Sequence, residues 1–261
     1  MAILDWLPLI VAPLLVRGTA LKAAPATRAM LISCLILFPV GLMMKSLPAF
    51  SSSSMLRADT IPVGFVMMFL SSFFHTGLDH LIWNLTPILA IGPLVESRLG
   101  SKAVWAMAGL AILASGFFDI LLFRHADIAS VGFSAVVCAY LGALLVVGPL
   151  RWVWVWLAVL PLPMPGFGYV AIMFALLFPN LVGLSLPPVA QDFTNHMAHY
   201  GGFGAGLALT AALWAIRHFC LVDPFKPATP AAPPSLPLTM PSKSAPRLPI
   251  VRRRSGGVGQ R

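Results

Sequence analysis

The chain has 261 residues, 59% of them hydrophobic and only 10% charged, with a mean hydropathy of +0.90. A soluble domain of this size carries about 25% charged residues, so the composition excludes an ordinary water-soluble fold. The net charge of +9 is not spread as a nucleic-acid-binding face, because seven of the seventeen Lys and Arg residues fall between Asp223 and Arg261; no nucleic-acid partner is expected.

Taken in chain order, Leu4 to Val16 is apolar but short and carries Pro8 and Pro13, and its only charge is Asp5. A signal peptide begins with basic residues, so residues 1–27 read as an N-terminal interfacial segment or an incomplete span. Six apolar stretches follow, at about 28–47, 77–95, 103–123, 129–149, 168–186 and 195–216, each near the ~20 residues that cross a bilayer as helix. In lipid the backbone must satisfy its own hydrogen bonds, which leaves helices or a closed barrel. Barrel strands alternate polar and apolar residues, and these stretches do not. The expected fold class is an all-α polytopic membrane protein, a six-helix bundle over residues 28–216. Between helices 4 and 5, the Trp-rich run from Trp152 to Leu160, ended by Pro161, Pro163 and Pro165, reads as interfacial, since Trp favours the headgroup boundary. Residues 217–261, rich in Pro, Ala and Ser without periodicity, read as a disordered basic cytoplasmic tail. Cys34, Cys138 and Cys220 are too scattered for a disulfide framework or a metal cluster.

The basic residues set the expected orientation. With both termini inside, fourteen Lys and Arg lie on the inner side against three (Lys45, Arg57 and Arg124) outside, as the positive-inside rule requires. Helices 2, 4 and 6 then all run from outside to inside.

Polar groups within a span are costly and are functional candidates by default. Helix 2 opens with His75, Asp79 and His80, followed by Asn84; helix 4 contains Gly132-Phe133-Ser134-Ala135; helix 6 contains His199, Gly202 and Gly206. Ser134 is expected roughly 9 Å below the outer end of its helix and His199 roughly 6–10 Å below, at 1.5 Å per residue. Three helices of one direction therefore bring polar groups to one leaflet at one depth. His80 and Asn84, four apart, share a helix face, and so do His199, Gly202 and Gly206. Glycines let a neighbouring helix approach closely. If that neighbour is helix 4, where Gly132 and Ala135 flank the serine, the hydroxyl of Ser134 and the imidazole of His199 can meet. A serine needs such a base to become a nucleophile, and His80, Asn84 and the Ser134 N–H are candidate donors to the oxyanion. A zinc protease would usually offer His-Glu-x-x-His, which is missing. His75 reads as a structural or water-contacting residue above the helix, and Glu96 and Arg98 as structural groups at the inner end of helix 2.

In content, order and spacing, His75-x4-His80-Leu81-x2-Asn84, Gly132-x-Ser134, and Ala198-His199-x2-Gly202-x3-Gly206 resemble the rhomboid intramembrane proteases, over about residues 28–216. Val95-Glu96-Ser97-Arg98-Leu99-Gly100-Ser101 is also similar to the family's segment after helix 2. The resemblance implies a rhomboid-like bundle with a Ser134–His199 dyad, His80 and Asn84 near the oxyanion, and no metal or cofactor. It implies cleavage of single-span transmembrane proteins at or near the outer face and, by analogy, a bacterial inner membrane. The chain departs from the family pattern at Ala135, at Cys138 and in the first outer loop, where Arg57 follows Leu56. The alternative is a catalytically silent rhomboid-like protein that binds transmembrane helices.

Overall fold

A computed structural model of the chain describes residues 20–45, 66, 68–75, 77–122, 132–157, 160–177 and 196–219. The N-terminal apolar run, the outer loop with Arg57, Asp192, Asn195 and the tail from Asp223 lie outside the described residues. Among the described residues the main helices are α1 (Pro25–Lys45), α2 (Leu78–Leu99), α3 (Ser101–Leu122), α4 (Ser134–Val147), α5 (Gly166–Leu177) and α6 (His196–Phe219). Segments Pro25–Met43, Leu78–Leu99 and Ser101–Phe118 are long and apolar enough to cross a membrane, and α4 and α5 are shorter apolar helices. Large side chains such as Trp83, Trp105 and Phe117 lie exposed on the helix surfaces, as expected where lipid rather than water surrounds the bundle. The helical membrane fold is the one expected from hydropathy.

One expectation is revised. Helix 4 begins at Ser134, not near residue 129, because Gly132 takes φ +107°, a left-handed conformation that glycine adopts readily and that breaks a right-handed helix. Ser134 is therefore the first residue of its helix rather than six residues inside it. The Trp-rich run, read as interfacial, forms a hairpin: β1 (Trp152–Leu157) pairs antiparallel with β2 (Leu160–Pro165), Trp152 opposite Pro165 and Trp154 opposite Pro163. Val153 and Val155 point into the core while Trp152 and Trp154 face outward, the period-two geometry of a strand. The prolines alternate along β2, so their missing N–H groups all fall on one side, the arrangement an edge strand tolerates.

Tyr140 and Glu96 knit α1 to the rest. The fully buried Tyr140 hydroxyl lies 3.0 Å from Thr27 Oγ1. Glu96, 3% exposed, accepts hydrogen bonds from Ala26 N (2.9 Å), Thr27 N (2.8 Å) and Ser101 Oγ (2.6 Å). The opening N–H groups of a helix have no intrahelical partner and carry its positive dipole end, so this carboxylate caps α1 while tying the end of α2 to the start of α3. Gly100, at φ +83°, closes α2 with its N–H on Glu96 O, and α3 starts at the next residue. Glu96→Gln exchanges one acceptor oxygen for an NH2 group facing donors. We expect a loss of about 2–3 kcal/mol, measured as a lower Tm of the full chain in detergent, with little change in function because the site described next lies at the other end of α2.

Candidate active site

Helices α4 and α6 approach as closely as backbones can. A methyl group on Gly202 would run into the Ala135 carbonyl oxygen and lie 2.8 Å from its carbon; one on Gly206 would run into Ala139, with Cα at 2.5 Å; one on Gly142 would meet Phe203 O and Leu207 N. Gly202 meets Ala135 and Gly206 meets Ala139, four residues further along each helix, so the helices run parallel. Ser134 precedes Ala135, the residue that Gly202 touches, and so lies on the part of α4 in contact with α6. His199 lies one turn before Gly202, on the face of α6 that meets α4. It is 4% exposed, and Ser134 is half-buried.

Helix α2 closes the other side. A methyl group on Gly132 would sit 2.6 Å from both Cε1 and Nε2 of His80 and 3.7 Å from Asn84 Nδ2. His80 and Asn84 therefore flank the backbone two residues before Ser134. Asn84, 3% exposed, donates from Nδ2 to His80 O at 2.9 Å, and the second hydrogen of its NH2 group remains for another acceptor. The turn ahead of α2 buttresses both: Ser71 O accepts from Gly132 N at 3.0 Å, and the Phe73 ring packs on Phe133 at 5.1 Å. His75 Nδ1 lies 3.1 Å from Phe73 O, and its ring meets that of His80 edge-on at 5.1 Å. His75 is 2% exposed, so of its two expected roles the water-contacting one does not hold. Burial, with a smaller effect from the nearby His80, pushes its imidazole down to about 4, and it packs as a neutral ring at physiological pH.

Helix starts dominate this end. Ser134 is the first residue of α4, His80 the third of α2, and His199 the fourth of α6. The N–H groups of a helix's first turn point out of the helix unused, so the Ser134 N–H is available to a ligand, as it would not be one turn further in. Sequence reasoning missed Ser71 and Phe73, whose contributions are a carbonyl and a ring contact that no motif encodes.

The chain matches the family model of the Rhomboid domain over residues 63–216. The chain belongs to the rhomboid family. No curated protein matches it. The rhomboid domain takes in α2 to α5 and most of α6, leaving outside it α1, which Glu96 and Tyr140 bind to the bundle. With its apolar helices, this rhomboid is an integral membrane protein. His75 and His80 lie side by side, but among the described residues no three His, Cys, Asp or Glu side chains gather as metal ligands.

Gly132→Ala separates positioning from folding in this rhomboid. The new methyl group would meet the movable far end of His80 rather than backbone. Strain at the positive φ costs about 1–2 kcal/mol, a modest loss of Tm. On the protease reading proposed below, displacing His80 from beside Gly132 is expected to lower substrate turnover by at least about tenfold, an oxyanion donor being worth about 10²–10³ in rate.

Proposed function

We propose that this rhomboid is an intramembrane serine endopeptidase that cleaves single-span transmembrane proteins near the outer membrane face. Ser134 Oγ attacks the scissile carbonyl carbon as His199 takes its proton. The oxyanion is held by His80, Asn84 and the Ser134 N–H. Collapse breaks the C–N bond, the amine leaves with the proton from His199, and water activated by the same imidazole then hydrolyses the acyl-enzyme.

What supports this reading is the glycine-mediated contact of α4 with α6, in which Gly202, one turn after His199, touches Ala135, the residue after Ser134, with His80 and Asn84 beside Gly132. A serine used only for packing would not need a histidine on a touching helix and two amide- or imidazole-bearing residues nearby. Orientation has separate support. The start of α1, the end of α2, the start of α3 and the end of α6 meet around Glu96 and Arg98. Lys22, Arg28, Arg98, Lys102 and Arg217 gather at this end, and Arg151 follows the end of α4. The positive-inside rule makes it cytoplasmic, which turns the serine toward the outer leaflet; by family analogy the membrane is a bacterial inner membrane.

The test is labelling of the full chain, in detergent and in proteoliposomes, with a fluorophosphonate, which reacts only with an activated serine. Labelling of the wild type that disappears in both Ser134→Ala and His199→Ala, together with loss of substrate cleavage, supports the protease. A wild type that takes no label and cuts nothing, yet binds transmembrane peptides, would be the silent binder instead.

A further inference from the structure

Far from the serine, β1 leans on the inner half of α2 and leaves a cavity of ≈ 360 Å³ lined by Ala90, Leu94, Arg151, Trp152 and Val153. Leu94 is fourteen residues beyond His80, so the cavity lies about 21 Å along α2 from the candidate active site. The volume is that of a small-molecule site, about 300–1,000 Å³. Its walls have two characters. Ala90 and Val153 are 3% and 2% exposed and, with Leu94, form an apolar floor. Trp152, 70% exposed, and the exposed Arg151 form the rim, with Leu150 outside it.

Arg151 is held there by its backbone. Its N–H donates to Gly148 O (3.1 Å), its carbonyl accepts from Gly166 N (2.8 Å), and its Cβ and Cγ pack at 3.6 Å from where a Gly148 side chain would begin. Its guanidinium has no ion pair or side-chain hydrogen bond among the described residues. Glu96, the described carboxylate at this end, is buried and occupied by Ala26, Thr27 and Ser101, so among the described residues no carboxylate answers the cation. A guanidinium fork matches phosphate oxygens two at a time. An indole beside it suits the headgroup boundary, where one edge is wet and one face apolar. A soluble anion would use the Arg151 rim but leave the Ala90–Leu94–Val153 floor empty. A phospholipid fills both.

We propose that this cleft binds one anionic phospholipid of the inner leaflet, its phosphate on Arg151 and the first part of an acyl chain against Ala90, Leu94 and Val153. Arg98, exposed and one turn beyond Leu94 on α2, adds to the preference for net negative headgroups over zwitterionic ones.

Native mass spectrometry of the delipidated full chain, titrated with dioleoyl phosphatidylglycerol or dioleoyl phosphatidylcholine, tests this without reference to proteolysis. The expected result is one phosphatidylglycerol bound about tenfold more tightly than phosphatidylcholine. Arg151→Gln weakens it by about tenfold or more, the loss of a charge-assisted contact, while Arg151→Lys keeps part of the affinity. Leu94→Trp, which fills the cleft, also lowers it, and Ser134→Ala does not. Each variant is compared at unchanged Tm. Equal binding of phosphatidylglycerol by wild type and Arg151→Gln, equal affinity for the two lipids, or displacement of the lipid by millimolar inorganic phosphate would each overturn the site.

Discussion

Ser134→Ala is expected to reduce cleavage of a transmembrane substrate by on the order of 10⁴-fold or more, about 5 kcal/mol or more of transition-state stabilisation, with Tm unchanged. The hydroxyl is half-buried at the first residue of α4, so its removal opens a void smaller than a methyl group and unpairs no helix bond. His199→Ala should fall nearly as far, since a serine without its base is a weak nucleophile. The decisive measurement is the double variant. Groups acting in one step are non-additive, so Ser134→Ala with His199→Ala should be no slower than Ser134→Ala alone. If the two losses multiplied instead, or if Ser134→Ala kept more than a few per cent of wild-type cleavage, the serine would not be the nucleophile.

The parts of this molecule that hydropathy and spacing reveal are those governed by local rules. Lipid forces apolar stretches into helices, so α1, α2, α3 and α6 could be read to within a few residues at most of their ends. The common face of His199, Gly202 and Gly206 follows from 3.6 residues per turn. What escaped was set by contacts or by dihedrals. Ala129 to Phe133 holds no charged residue, so hydropathy runs it into the helix it precedes, whereas Gly132 at φ +107° interrupts the helix just before Ser134. The β1–β2 hairpin escaped because its alternation is Trp against Val, two apolar types that a hydropathy average cannot distinguish, although their burial differs sharply. Glu96 could be placed at the inner end of α2, but its partners Ala26 and Thr27 are 70 and 69 residues away, a pairing that no local pattern carries.

The glycines of α6 allow the sharpest discrimination between packing and chemistry. Gly202→Ala places a methyl group against backbone atoms of Ala135, its carbonyl oxygen, its carbonyl carbon at 2.8 Å and its Cα at 2.9 Å. Backbone in the first turn of α4 cannot swing aside as a side chain would, so the two helices must separate by on the order of 1 Å to restore contact distances. Overpacking of this kind costs about 1–3 kcal/mol, offset in part by the better helix propensity of Ala, about 1 kcal/mol. The fold should survive. Catalysis should not, because a displacement of about 1 Å between reacting groups costs about 10²-fold, and Gly202 is one turn from His199 and faces the residue after Ser134. Gly206→Ala strains the same interface one turn further down, against Ala139, and is expected to lower Tm similarly but to reduce cleavage less, since α6 can pivot about its upper contact. Gly204→Ala has nothing within 4 Å, and should leave cleavage within about twofold and raise stability slightly. Ala135→Gly should not rescue Gly202→Ala, because the collision is with the carbonyl and Cα of residue 135 rather than with its methyl group. Cleavage rates in proteoliposomes set beside Tm in detergent would give this order; if Gly202→Ala and Gly204→Ala behaved alike, the close approach of α4 and α6 would have no part in setting the serine against its base.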